Sequence, residues 1–132
     1  MSDDWNAEMY SQKAHESLAG AESEYTNERY NNAANRAYYT AFQAAIAALL
    51  REGIRAREGR WAHTFVQSEF VGKLINRRHR FTPDLRDALS DLQSLRRDAD
   101  YRDGTITRAD ARDAIRRSRA FVEAIRQENE AQ

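Results

Sequence analysis

The stretch of residues 96–101 places charged and hydroxyl side chains at the spacing of one helical turn. It reads Arg-Arg-Asp-Ala-Asp-Tyr, and the guanidinium groups of Arg96 and Arg97 can each bind a phosphate through paired hydrogen bonds while staying charged. Tyr101, with a phenol pKa of about 10, is a poor proton acceptor at neutral pH but can donate a proton to an oxyanion. The stretch therefore predicts a phosphate-binding site that includes Asp100. The alternative is an ion pair between Arg96 and Asp100, with Tyr101 packed at the end of a helix.

Three histidines are the best candidates for proton transfer, because the pKa of imidazole lies close to neutral pH. We predict that His63 acts as a catalytic acid or base; the alternative is packing beside Trp61. His79 lies within an Arg-Arg-His-Arg run and is a candidate for phosphate contact, whereas His15 is expected to be solvated. No two of the histidines have the spacing of metal ligands, so we predict no metal and no cofactor.

Two polar features fall within the most apolar part of the sequence. Arg36 is surrounded by alanine and aromatic residues, so we expect it to be buried and to need a partner, because an unpaired buried charge is costly. That partner is an acid such as Asp98 or Asp100; alternatively, Arg36 lines a cleft and binds phosphate. The pair Tyr38-Tyr39 is predicted to pack in the core and at a dimer contact, with base stacking as the alternative.

Five helices are predicted to carry these residues, because apolar side chains recur every three or four positions between glycine and proline breaks. The second helix should be the most buried, since most of its circumference is apolar. Thr82 is predicted to cap the fourth helix with Pro83 as its first residue, and Thr107 with Asp110 forms a capping-box-like start of the fifth. The sequence thus predicts an all-α fold, an antiparallel up-and-down bundle of about five helices in a single domain spanning 1–132. The expected helices cover about residues 4–25, 27–52, 61–76, 83–103 and 107 to near the end.

Charge is balanced overall but unevenly distributed along the chain. Lys and Arg number 21, as do Asp and Glu, and this balance argues against a non-specific nucleic-acid binder. Residues 51–80 nevertheless carry eight bases and three acids. Within them, the segments 51–60 and 77–80 are the best electrostatic candidates for an RNA-binding surface, with a solvated loop surface as the alternative.

Composition and the first residues bear on the cellular compartment. Cysteine is absent, which excludes disulfides and thiolate metal ligands. The opening Met-Ser-Asp-Asp-Trp lacks the basic and apolar regions of a secretory signal. The longest apolar run, residues 37–50, is shorter than the roughly twenty residues that a membrane span needs. We therefore expect a cytoplasmic protein without a membrane segment.

Four features follow one another in a recognisable order along the chain. They are the aromatic and alanine-rich run 29–50, His63 at the start of the third helix, the stretch Leu-Gln-Ser-Leu-Arg-Arg-Asp-Ala-Asp-Tyr at 92–101, and the apolar spacing of 111–125. Together they resemble HEPN (higher eukaryote and prokaryote nucleotide-binding) domains, in particular small stand-alone prokaryotic members with an Arg-x-x-Ala-Asp-Tyr signature late in the fourth helix.

The resemblance implies both a fold and a set of partners. The family fold is an up-and-down bundle of four or five helices, often a symmetric dimer. Many members are metal-independent ribonucleases, frequently toxins paired with a small nucleotidyltransferase antitoxin or parts of defence systems. Others are non-catalytic partners or substrate-binding halves of nucleotidyltransferases. By resemblance, we expect a homodimer whose cleft holds RNA phosphate through Arg96, Arg97 and Arg102, with Tyr101 and His63 transferring protons.

The chain departs from the pattern of the nuclease members, which carry an Arg, four to six residues, and then a His. Counting from Arg96 leads to Tyr101, counting from Arg97 leads to Arg102 and its neighbours, and no histidine follows His79. Whether the chain is an enzyme therefore stays open. One hypothesis is a toxin-like or defence-associated RNA-acting protein; the other is a non-catalytic interaction or nucleotide-binding module that partners a small nucleotidyltransferase.

Overall fold

The predicted all-α, antiparallel up-and-down bundle is confirmed by the structure, a computed structural model. It describes the backbone of residues 3–101 and 106–131, and the side chains of residues 6–98 and 106–131. Within these ranges there are five α-helices, and the third continues as a π-helix, Phe70–Arg77, before a 3-10 turn, Pro83–Leu85. The α-helices are α1 (Asp3–Thr26), α2 (Tyr30–Arg51), α3 (His63–Glu69), α4 (Ala88–Tyr101) and α5 (Arg108–Ala131).

Helix α2 is the centre of the bundle and packs against α1, α4 and α5. It is the most buried helix, as predicted, because its alanines let neighbouring backbones approach closely while its aromatic side chains fill the wider gaps. Phe70 packs against Phe81 and Phe121, with ring centroids 5.2 and 5.1 Å away, and extends the core beyond α2. In the part of the chain that the structure describes, no helix has the length and apolar character needed to cross a bilayer.

The fourth helix begins later than predicted. Pro83 starts the 3-10 turn rather than the helix, and α4 begins only at Ala88. The Thr82 hydroxyl donates a hydrogen bond to the Asp84 carboxylate, and the Leu85 N–H donates to the Thr82 carbonyl at 3.1 Å. These local bonds favour a tight turn over an immediate helix start. The end predicted at 103–104 lies outside the described residues.

The predicted start of the fifth helix is confirmed in its hydrogen bonds. The Asp110 N–H donates to the Thr107 hydroxyl at 3.1 Å, and the Thr107 N–H donates to the Asp110 carboxylate at 3.3 Å. This reciprocal pair satisfies donors that the first helical turn would otherwise leave open. These bonds fix the first turn of α5, the helix that packs against α2.

Candidate functional site

A cluster of Tyr38, Tyr39, Phe42, His63 and Arg96, which we call the Tyr-His-Arg cluster, forms between α2, α3 and α4. Tyr38 lies in α2 with 1% of its surface exposed, and its hydroxyl is hydrogen-bonded to Nδ1 of His63, the first residue of α3. Phe42, one turn along α2, stacks on the imidazole with ring centroids 4.7 Å apart. The imidazole is therefore held by one hydrogen bond and one aromatic face.

His63 packs against α2 and not beside Trp61, which was the packing alternative predicted for it. The rings in contact with the imidazole, within the described residues, are those of α2 in the Tyr-His-Arg cluster. Trp61 lies against Tyr10 and Phe65, with ring centroids 6.3 Å away in both cases. His63 is half-buried rather than fully enclosed by these contacts.

Arg96 brings a permanent positive charge from α4 to the same place. Its guanidinium carbon lies 5.3 Å from the ring centroid of Tyr38 and 5.7 Å from that of Tyr39. A guanidinium at this distance from an aromatic ring gains cation–π attraction. The paired tyrosines therefore orient Arg96 beside His63, although 33 residues separate the two in the chain.

Burial and this charge set the protonation states in the cluster. Burial lowers the pKa of His63, and the positive charge of Arg96 lowers it further. Burial raises the pKa of Tyr38, with Arg96 opposing the shift. At neutral pH the imidazole is thus neutral and the phenol keeps its proton. The Tyr38 hydroxyl donates to Nδ1 in one histidine tautomer and accepts from Nδ1–H in the other.

A neutral imidazole next to a guanidinium suits chemistry at a phosphate. The imidazole can accept a proton from a hydroxyl, and the guanidinium can bind phosphate oxygens and balance charge that develops on them. Among the residues with described side chains, no three His, Asp or Glu groups are placed to hold a metal ion. The groups that the arrangement offers for reaction are thus His63 and Arg96.

The remaining residues predicted at the 96–101 stretch are only partly described. Arg97 is exposed, and its charge acts on the pKa of Tyr38, so it lies near the Tyr-His-Arg cluster. Asp100 and Tyr101 belong to the last turn of α4, but their side chains lie outside the described residues, as does all of Arg102. The alternative of an Arg96–Asp100 pair, and the roles predicted for these three residues, stay predictions.

Arg36 is exposed, and the expectation that it is buried was wrong. It lies against α1, where a Cβ atom added at Gly20 would be 3.8 Å from Arg36 Cδ. The aliphatic part of Arg36 thus lies within ordinary van der Waals distance of α1, and the residue as a whole is exposed. Two positions along a helix are about 200° apart, so Arg36 lies on a different side of α2 from Tyr38 and does not join the cluster.

The predicted basic surface contains an acid, Glu52, that binds two of its arginines. Arg78 donates to the carbonyl and the carboxylate of Glu52 at 2.9 and 3.3 Å, and Arg80 donates to the same carboxylate at 3.2 Å. Only 10% of the Glu52 side chain is exposed. The cations of 77–80 are thus partly neutralised within the fold. His79 and His15 are both exposed, as was predicted for His15.

Sequence reasoning placed Tyr38 in the core, which is confirmed, but missed its bond to His63. A signal was present in the sequence, because a phenol on the most apolar helix needs a hydrogen-bond partner for its hydroxyl when it is buried. The partner could not be named from the sequence, since residues 38 and 63 belong to different elements joined by a non-helical connector.

Comparison with known protein families identifies the family of this chain. A search of curated proteins gives no significant match. The family model described as HEPN domain matches residues 7–128, a range that includes all members of the Tyr-His-Arg cluster and most of the bundle. The chain therefore belongs to the HEPN domain family.

Proposed function

We propose that this HEPN protein acts on RNA in the cytoplasm, as a toxin-like or defence-associated endoribonuclease that needs no metal ion. The observation that carries the proposal is the placement of a neutral imidazole and a guanidinium on the same pair of tyrosines. The histidine missing after Arg96 in α4 is replaced in this proposal by His63 from α3. The proposed site thus combines residues from two helices rather than from one.

In the proposed reaction, His63 accepts the proton of a ribose 2′-hydroxyl, and the resulting oxygen attacks the adjacent phosphorus. The bond from phosphorus to the 5′-oxygen breaks, which leaves a 2′,3′-cyclic phosphate and a 5′-hydroxyl. Arg96 balances the charge on the phosphate oxygens in the transition state. The departing 5′-oxygen takes a proton from an acid, and Tyr101 is the acid that the sequence predicts for this step.

The proposal includes a homodimer, because HEPN domains often dimerise. The two copies of the 96–102 segment would then face one cleft, with Arg97 and Arg102 adding phosphate contacts. Light scattering combined with size-exclusion chromatography measures the mass of the assembly. A monomer at all accessible concentrations would contradict this part of the proposal.

The nuclease proposal is tested with purified protein, total tRNA and mRNA. His63→Asn keeps a hydrogen-bonding side chain but removes the proton acceptor, so cleavage should fall by about a hundredfold or more. His15→Asn is the matched control, because His15 is exposed on α1, and it should cleave as fast as the wild type. Wild-type rates in the His63 variant would remove this residue from the mechanism.

The second candidate function is a non-catalytic partner of a small nucleotidyltransferase. Two observations favour it: no histidine follows the arginines of α4, and Glu52 already binds two of the cations expected to attract RNA. This function predicts co-purification with the product of a neighbouring nucleotidyltransferase gene and no RNA cleavage by the purified chain. Cleavage by the wild type that depends on His63 would reject it.

A further inference from the structure

A tight hairpin in the connector between α2 and α3 brings two arginines together. The Arg60 N–H donates to the Arg57 carbonyl at 2.9 Å, and these two residues form an isolated antiparallel bridge. The turn residues between them, Glu58 and Gly59, have φ values of 51° and 75°, as a type I′ turn requires. Bridged residues lie side by side, so the side chains of Arg57 and Arg60 are neighbours on the hairpin.

The hairpin and α3 line a shallow, open cleft of about 640 Å³. Phe65 forms part of its wall, and the guanidinium carbon of Arg57 lies 5.7 Å from the centroid of this ring. Phe65 is half-buried, so one part of the ring is anchored while another part faces the cleft. Its lining also includes two acids, Glu58 and Glu69.

The charge of the cleft is positive. Neither Arg57 nor Arg60 forms an ion pair within the described residues, in contrast to Arg78 and Arg80. Of the two acids in the cleft, Glu69 is bound to Lys73 at 3.0 Å. Glu58, the other acid, forms no ion pair with either arginine within the described residues, so two arginines stand against one unpaired carboxylate. An aromatic ring beside unpaired arginines is the combination that binds a base and its phosphates.

The cleft also lies next to the Tyr-His-Arg cluster. Ala62 and Thr64 line the cleft, and His63 stands between them in the chain with its ring directed to Tyr38. The cleft and the imidazole thus both lie at the start of α3, on different sides of it.

We propose that this cleft binds a single-stranded segment of the RNA that is cleaved. Phe65 stacks on one base, and Arg57 and Arg60 bind backbone phosphates. Single-stranded RNA is the occupant because a base must leave its helix to stack on a protein ring. The inference rests on the proposed RNA function and adds the form of the substrate and the residues that hold it.

The test measures binding apart from cleavage. A short fluorescein-labelled RNA with 2′-O-methyl groups cannot react, and fluorescence anisotropy gives its Kd over a range of salt concentrations. The variant Arg57→Gln/Arg60→Gln removes both cleft cations. Arg112→Gln/Arg116→Gln is the matched control, because both of these arginines are exposed on α5 and the change in net charge is the same.

The cleft variant should lose two phosphate contacts. The slope of log K against log salt should become smaller by about 1.4, and Kd at physiological salt should rise about tenfold. The control variant should keep the wild-type slope. Equal effects of the two variants would mean general electrostatic attraction and would overturn the cleft as the binding site.

The aromatic contribution is tested at Phe65. Phe65→Leu should weaken binding by about fivefold or more with the salt slope unchanged, whereas Phe65→Trp should restore it. Circular dichroism establishes that each variant is folded. Unchanged binding by folded Phe65→Leu would overturn the stacking role, and equal binding of duplex RNA would overturn the single-stranded substrate.

The outcomes separate this inference from the function on which it rests. Failure of the wild type to bind any of the RNAs would reject the RNA function, and the cleft proposal with it. RNA binding that is indifferent to Arg57, Arg60 and Phe65, together with cleavage that depends on His63, would reject the cleft and retain the nuclease.

Discussion

Replacing Tyr38 by phenylalanine removes one oxygen atom from the centre of the Tyr-His-Arg cluster. The ring remains, so its contacts with Phe42 and Arg96 are preserved, and the change falls on the bond to His63 Nδ1. Because His63 is half-buried, water reaches only part of the ring and compensates incompletely. We expect the free energy of unfolding to fall by about 1–2 kcal/mol, equivalent to a Tm lower by about 4–8 °C in a chain of this size.

The adjacent Tyr39 supplies the control for this measurement. Tyr39→Phe removes the same atom from a half-buried ring over which Arg96 also lies, but its hydroxyl makes no hydrogen bond within the described residues. Its unfolding free energy should therefore change by less than about 0.5 kcal/mol. Thermal and denaturant unfolding followed by circular dichroism measure both variants.

Nitrogen NMR of the imidazole reports on the same bond directly. Loss of the Tyr38 hydroxyl should change the balance of the two neutral tautomers of His63, while the Tyr39 variant should leave it as in the wild type. Equal stability of the two variants, together with an unchanged tautomer balance in Tyr38→Phe, would refute the idea that the Tyr38 hydroxyl holds the imidazole.

Three further predictions concern pH, a buried acid and a helical glycine. The folded-state pKa of His63 is below its ordinary value of 6.5, so between these two values the unfolded chain binds more protons than the folded chain. The free energy of unfolding, measured with urea, should therefore fall as the pH drops below about 6.5, and it should fall less in His63→Asn. Glu52→Gln leaves Arg78 and Arg80 without their shared carboxylate. Because both arginines are partly exposed, it should cost about 0.5–1 kcal/mol in denaturant unfolding and steepen the salt dependence of RNA binding. Gly20→Ala adds a Cβ that meets nothing closer than 3.8 Å, so the better helix propensity of alanine should raise the unfolding free energy by about 0.5–1 kcal/mol.

The helices could be predicted from the sequence wherever the signal depends only on residues close together in the chain. The apolar periodicity of α2 identified the central helix, and Thr107 with Asp110 identified the start of α5, because both signals depend on residues within one or two turns. Pro83 is a helix-start signal as well, yet it begins a 3-10 turn. The difference lies in Thr82 and Asp84, whose side chains bond to each other and stabilise the tighter turn.

The candidate site could be predicted only in part, because residue type identifies reactive groups but not their neighbours in space. His63 and Arg96 were found from their chemistry. Their common partner Tyr38 required the packing of three helices. Arg36 shows the opposite error. Its apolar neighbours in sequence suggested burial, but in space it lies beside Gly20 of α1 at the surface of the bundle and is exposed.

The charge of Arg96 links phosphate binding to proton transfer in the proposed reaction. In the free protein this charge and burial both lower the pKa of His63, so the imidazole is neutral and able to accept a proton. A phosphate bound to Arg96 offsets the positive charge that disfavours imidazolium, and the pKa of His63 then rises. Bound RNA thus makes the imidazole a stronger base at the point in the reaction where the 2′-hydroxyl must lose its proton. A cation beside the histidine, which alone would weaken a base, is therefore compatible with catalysis once its anionic partner is an RNA phosphate.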